Sequence, residues 1–200
     1  MKIEKLVQHW EPELPLLCCP KCGAEFTLES GQLRCQSGHC YDLSAKGYVN
    51  LAPNHDQKKE KYDAALFEAR SRIFADGFYR PVLDTVAGML TRRFGERSFT
   101  LADVGCGEGY YCAELARRFP SSAFFGVDLS RDGIQRAARN REACWMVADL
   151  KRLPFVPGGM DVVLDVLTPA DYQAFSSVLG ESGVLIKVIP GADYLKEVRN

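Results

Sequence analysis

The chain has 200 residues, 46% of them hydrophobic, with a formal net charge of -1 at pH 7 and eight cysteines. That length holds one full α/β domain with a small accessory one, and the apolar runs are too short to span a bilayer. The near-zero charge excludes a nucleic-acid binder that works through bulk basicity alone, and the cysteines without a leading secretory segment point to a reducing compartment, the cytoplasm.

At the amino terminus, Cys19-Pro20-Lys21-Cys22 is followed by Cys35 and then by His39. A C-x-x-C turn aims two thiolates at one ion, and the second pair completes a Cys₃His tetrahedron. Zinc is the metal that such a set selects. Four protein ligands leave no open position, so the ion is structural, and a segment of roughly 50 residues has too little core to fold unaided. Cys40 adjoins His39 and is the alternative fourth ligand, with His39 preferred; a disulfide is the competing reading of the thiols. Phe26, Leu28 and Leu33 alternate around Ser30-Gly31 as in a small hairpin, so a zinc ribbon is expected within residues 1–52.

Residues 53–97 form a connector. Its first part, Asn54 to Lys61, is polar without apolar periodicity and is expected to act as a hinge. Ala65, Phe67, Ala69, Ile73 and Phe74 then recur near helical spacing, and Val82, Leu83, Val86, Met89 and Leu90 form a second amphipathic face, with Pro81 suited to the first turn. Such helices would cover a cofactor mouth.

Residues 98–200 read as alternating strands and helices. A strand from Phe99 to Val104 runs into Asp103-Val104-Gly105-Cys106-Gly107-Glu108-Gly109-Tyr110-Tyr111 and then a helix to Phe119. Three alternating glycines at a strand-to-helix turn allow positive φ and close backbone approach to a ligand. The G-x-G-x-G spacing satisfies neither the pyrophosphate fingerprint nor the Walker loop, so a nucleoside cofactor without phosphates fits better. A second strand, Ala123 to Val127, delivers Asp128, which can accept both hydroxyls of a ribose or cap the helix from Arg131 to Arg141, although Ser130 is the better cap. A third, Ala143 to Val147, delivers Asp149 and Leu150 beside an adenine ring. A fourth, Met160 to Val166, brings Asp165, Thr168 and Pro169 to the acceptor side of the pocket, with Asp165 a candidate base. A fifth spans Gly183 to Ile189.

This order of strand, glycine loop, helix, strand and acid resembles the class I methyltransferases that use S-adenosylmethionine, which implies a Rossmann-like α/β sheet. Four elements together resemble one family, the bacterial large-subunit ribosomal RNA guanine-N1 methyltransferases. They are the Cys-Pro-x-Cys knuckle, the Cys-x-x-x-His knuckle, Lys46-Gly47-Tyr48-Val49-Asn50-Leu51, and the glycine loop with its paired tyrosines. The resemblance covers nearly the whole chain. It implies that Cys19, Cys22, Cys35 and His39 bind zinc, that Tyr79, Gly107 and Glu108 contact the cofactor, and that Tyr194 is a weaker contact; Asp103 and Gly105 are cofactor-binding candidates from the glycine loop itself. It also implies a ribosomal RNA hairpin as substrate, no membrane, and a dimer presenting two ribbons to the RNA. Two departures are visible: Leu167-Thr168-Pro169 stands where some members place an aromatic residue before Ala-Pro, and class I sheets have seven strands where five are counted, so the terminal strands are expected to be lacking. The arginines Arg131, Arg136, Arg139 and Arg141 are read as a solvated helix face.

Overall fold

The structure is a computed structural model and describes residues 3–53, 64–192 and 194. The polar run read as a hinge, Asn54 to Lys61, lies outside the described residues.

The ribbon is a three-stranded antiparallel sheet, β1 (Phe26–Glu29), β2 (Gln32–Cys35) and β3 (Cys40–Asp42). Ser30 and Gly31 both take positive φ, 49° and 80°, which gives the tight β1–β2 turn the twist that such hairpins need and sets Glu29 opposite Gln32. Ahead of it stand α1 (Ile3–Trp10) and a 3₁₀ turn over Glu11–Leu16, neither of which the sequence reading anticipated.

The main sheet has six strands in the order β4-β7-β6-β5-β8-β9. All neighbours are parallel: β5 (Thr100–Val104), β6 (Ala123–Asp128), β7 (Cys144–Val147), β8 (Met160–Val166) and β9 (Leu179–Val188), with β4 (Tyr48–Asn50) beside β7. Four strands match the expected runs to within one residue at each end, and β9 begins at Leu179, four residues before the expected Gly183. The sixth is a correction: Tyr48–Asn50 lies in the stretch assigned to the ribbon, yet Tyr48, Val49 and Asn50 pair with Trp145, Met146 and Val147. Three residues between turn signals are too short to be read as a strand without their partner.

Alternation along the buried strands divides the sheet into two faces. Leu101, Phe124, Trp145 and Val162 face one way and pack with α3 (Arg80–Phe94), α4 (Tyr110–Arg118) and α5 (Arg131–Ala137). Ala102, Phe125, Met146 and Val163 face the other way and pack with Leu6 and Trp10 of α1, Leu17, Phe26, Leu33 and Tyr41 of the ribbon, and Phe175 of α6 (Tyr172–Val178). Backbone bonds seal this second face, Cys18 N–H to the Pro154 carbonyl and Val156 N–H to that of Leu16, each 3.0 Å. The ribbon thus completes a layer that a doubly wound fold covers with helices.

Pro81 begins α3, as expected of a residue without an N–H. Helix α2 (Ala64–Ala75) also forms where periodicity placed it. Helix α5 stops at Ala137, short of the expected Arg141, because the chain tightens into turns and the Asn140 carbonyl accepts the Trp145 indole N–H at 2.9 Å. Ser130 caps it, accepting the Gly133 amide at 3.2 Å.

Candidate active site and metal centre

Two turns of the ribbon bring its ligands together. The Gly23 amide donates to the Cys19 carbonyl at 2.7 Å and the Gly38 amide to that of Cys35 at 2.9 Å, and both glycines take the left-handed φ that lets each knuckle close. The ligand atoms of Cys19, Cys22, Cys35 and His39 lie within 4.8 Å of one another. Metal bonds of about 2.3 Å to sulfur and about 2.0–2.1 Å to nitrogen place S···S edges near ~3.8 Å and S···N edges near ~3.5 Å in a tetrahedron. The structure has Cys22 Sγ to Cys35 Sγ at 3.7 Å, and His39 Nδ1 at 3.5 Å from Cys19 Sγ and 3.4 Å from Cys35 Sγ. These edges fit zinc. Ser37 first, then the Ala24 amide, lowers the Cys22 thiol to about 6, so it is largely thiolate at neutral pH, the form a metal binds. Cys40 points elsewhere, toward Gln32 Oε1 at 3.4 Å, and all eight cysteines are free, which sets aside the disulfide.

The second site is a cavity of about 690 Å³ at the carboxyl ends of the main strands, where doubly wound sheets bind ligands. Its lining includes Asp103, Gly105, Gly107, Asp128, Asp149 and Leu150, together with Thr168, Pro169, Tyr79 and Tyr194. The tyrosine hydroxyls lie 2.6 Å apart. Gly105, Gly107 and Gly109 take φ of 73°, 57° and 78°. A Cβ on Gly105 would stand 2.4 Å from Thr168 Cγ2, so the loop and the β8 end are in close contact. Gly105→Ala therefore adds both a clash and backbone strain, and is expected to weaken S-adenosylhomocysteine binding at least tenfold in calorimetry; unchanged affinity would show that this approach is immaterial.

Asp128 accepts the Gly107 amide at 2.8 Å on one oxygen and the Ser130 amide at 2.7 Å on the other. This fixes its carboxylate plane at the cavity wall, where a carboxylate is an acceptor for a ribose hydroxyl. Asp103 accepts the Cys112 amide at 3.2 Å and is nearly inaccessible. Burial first, then the charges of Asp128 and Asp165, push it up to about 7. Its folded value stands above the unfolded one, so its contribution to stability is complete below about pH 4 and is lost as pH rises to about 7, on the order of 4 kcal/mol. Asp103→Asn is expected to flatten the stability profile across that window in urea titrations; an unchanged slope would assign the dependence to other groups.

Two expected site residues are not on this wall. Asp165 is fully buried, bonded to Lys187 Nζ at 2.7 Å and to the Thr168 amide at 3.3 Å, so its charge is already committed. Glu108 accepts the Ser71 hydroxyl on Oε2, while its Oε1 is buried with no hydrogen-bond partner among the described residues. The sequence reading missed Phe74, Tyr110 and Tyr111, which line the cavity, with Phe74 stacked on Tyr110, edge-on to Tyr111 and tilted against Tyr79. The paired tyrosines were visible in the loop; Phe74 had only a helical period. The Tyr111 hydroxyl is buried without a partner among the described residues, an unmet donor in a polar cradle, which fits a ligand with acceptor groups.

Comparison with known proteins follows this division. Residues 17–61 match the family model described as "RlmA, N-terminal", and residues 101–181 match "Methyltransferase domain". The chain is 40% identical over 189 residues to "Putative 23S rRNA (guanine-N(1)-)-methyltransferase YxjB" of Bacillus subtilis (strain 168), covering 90% of this chain and 66% of that one. Over both of its parts the chain is similar to the zinc-ribbon 23S rRNA guanine-N1 methyltransferase family. It is also 30% identical over 185 residues to "23S rRNA (guanine(748)-N(1))-methyltransferase" of Streptomyces fradiae, covering 91% of this chain and 66% of that one. It therefore spans 66% of the length of each of these relatives. A crystal structure of a "putative s-adenosyl-l-methionine-dependent methyltransferase" from Methanococcus maripaludis superposes with a TM-score of 0.56 at 18% identity over 66% of each chain, a likeness of fold. The family's two cofactors are S-adenosylmethionine and zinc, and the geometry above fits both. Among the described residues no helix is long and apolar enough to cross a membrane.

Proposed function

We propose that this protein transfers a methyl group from S-adenosylmethionine to N1 of a guanine in large-subunit ribosomal RNA. The observation that carries the reading is the pairing, in one fold, of a four-ligand zinc ribbon with a glycine-loop cavity at the strand ends. When bound, the cofactor supplies an electrophilic sulfonium methyl, so the protein has mainly to align acceptor and methyl carbon in a dry site.

The residues divide that work. Asp128, held by two amides, would hold the ribose, Asp149 and Leu150 would hold the adenine, and Gly105 and Gly107 would let the backbone approach. Tyr79, Tyr194 and Tyr111 supply hydroxyls at the mouth and side. The acceptor stretch from Val166 to Pro169 contains no carboxylate, so the guanine N1 proton must be taken by a group outside that stretch, and Asp165 acts as a positioning residue through Lys187 and Thr168. N1 lies on the pairing edge, so the base must be in a loop or flipped out to reach the cavity. The ribbon, with zinc on Cys19, Cys22, Cys35 and His39, recognises a folded RNA hairpin, and the protein acts in the cytoplasm as a dimer.

The test is radiolabelled methyl transfer to protein-free large-subunit RNA, followed by nucleoside analysis, with Gly107→Arg as control. Labelled 1-methylguanosine that vanishes in the control is the expected result. Label in another nucleoside would overturn the atom assignment, and transfer to small molecules or proteins but not RNA would overturn the substrate. Sedimentation of the intact protein checks the dimer.

A further inference from the structure

A second hollow of about 470 Å³ shares no lining residue with the cofactor cavity and is walled by Lys46, Asp132, Gln135, Arg136, Arg139 and Arg141. Four cations face one carboxylate there, on a chain whose formal net charge is -1. One cation suffices for the negative end of α5, a helix of seven residues, so helix complementarity does not account for four.

The hollow is held in shape by bonds between distant parts of the chain. Lys46 Nζ donates to Gln135 Oε1 at 2.7 Å, Arg141 Nη1 donates to the Lys46 carbonyl at 2.9 Å, and Gln135 Nε2 donates to the Tyr48 hydroxyl at 3.3 Å. Gly47, at φ 99°, gives Arg141 its seat, because a Cβ there would stand 1.5 Å from Nη1. Lys46 comes from the turn that leaves the ribbon, and the arginines come from α5 and its exit. A polyanion lying across the hollow therefore touches both parts of the protein.

We propose that this hollow binds the sugar-phosphate backbone of the RNA substrate, an anchoring site separate from the methyl-transfer cavity. The proposal rests on the RNA methyltransferase reading above. Guanidinium groups take phosphate oxygens in a bidentate fork and a lysine adds a point charge, so two or three successive phosphates are the matching ligand. Such contacts carry no base information and set the register of the strand against the protein.

The test is binding of a protein-free 23S rRNA transcript as a function of salt, for wild type, Arg139→Gln and the double variant Lys46→Gln/Arg139→Gln. At about 0.1 M salt each lost phosphate contact is expected to weaken binding roughly tenfold and to shrink the log-log salt slope by about 0.7–0.9. S-adenosylhomocysteine affinity, measured on the same samples, is expected to stay unchanged, which separates lost contacts from lost fold. Wild-type methylation of RNA together with variants of unaltered affinity and slope would overturn the hollow alone. A wild type that neither binds nor methylates RNA would bring down the RNA reading and the hollow with it. Displacement of the RNA by micromolar inorganic phosphate would mark a free-anion site instead.

Discussion

Stripping zinc with a chelator is expected to unfold far more than the ribbon. Structural zinc sites of this kind contribute about 10–16 kcal/mol, which equals or exceeds the ~5–15 kcal/mol net stability of a whole domain. In this protein the ribbon cannot fail alone. Phe26, Leu33 and Tyr41 share one core with Trp10, Phe125, Met146, Phe155 and Phe175, so loss of the ribbon exposes one face of the main sheet. The expected outcome is a single transition in which tryptophan emission shifts red, as fully buried Trp10 meets water, and S-adenosylhomocysteine binding disappears with it. Cys22→Ser is expected to act in the same direction by removing one ligand. A chelated protein that keeps full cofactor-product affinity would show the sheet to be independent of the ribbon.

Replacing Lys187 has the next largest expected effect. Asp165 is completely buried, and the ammonium of Lys187 meets its Oδ2 at 2.7 Å. Lys187 also donates to the Thr168 carbonyl, and Asp165 accepts the Thr168 amide, so the pair holds Thr168, at the end of the Val166–Thr168 turn, by both of its backbone groups. Leu167 within that turn has φ 58°, a left-handed conformation that a leucine holds only when its surroundings impose it. Lys187→Met leaves a buried carboxylate without its cation, which costs about 3–5 kcal/mol. Urea denaturation is expected to show that loss, and the double variant Lys187→Met/Asp165→Asn to recover part of it. The turn lines the cavity and is the acceptor side in the function proposed above, so the surviving folded fraction of Lys187→Met is expected to lose more in kcat than in the KM for S-adenosylmethionine. A stability change within 0.5 kcal/mol would remove the pair from the account, since that is the range of ordinary surface substitutions.

Much of this protein was legible in order along the chain. The five strands from Thr100 to Val188 were readable because each is a short buried apolar run bounded by turn residues, and α3 because its apolar residues recur at helical spacing behind Pro81. The metal ligands were readable because two tight turns are local objects: C-x-x-C and C-x-x-x-H fix the aim of their side chains within a few residues. The lining of the cavity was readable wherever a loop follows a strand, as at Gly105, Asp128 and Asp149.

What failed to be legible depends on partners far away in sequence. Asp165 and an acid at a cavity wall look alike in sequence; only the approach of Lys187, on a different strand, spends the charge of one and not the other. Val49 was assigned to the ribbon because nothing local says that its three-residue strand has a partner at Met146. The four cations of the basic hollow are scattered between residue 46 and residue 141, and its three arginines were read as a solvated helix face until the fold placed them with Lys46 around one space. The sequence by itself determined the zinc knuckles, the glycine loop and the order of strands and helices, because those depend on turn chemistry and periodicity within a few residues. Only the tertiary structure decided that the ribbon and α1 form the second face of the sheet, that β4 extends it, and which carboxylates stay open to a ligand, because each rests on packing and charge pairing between segments that no local pattern connects.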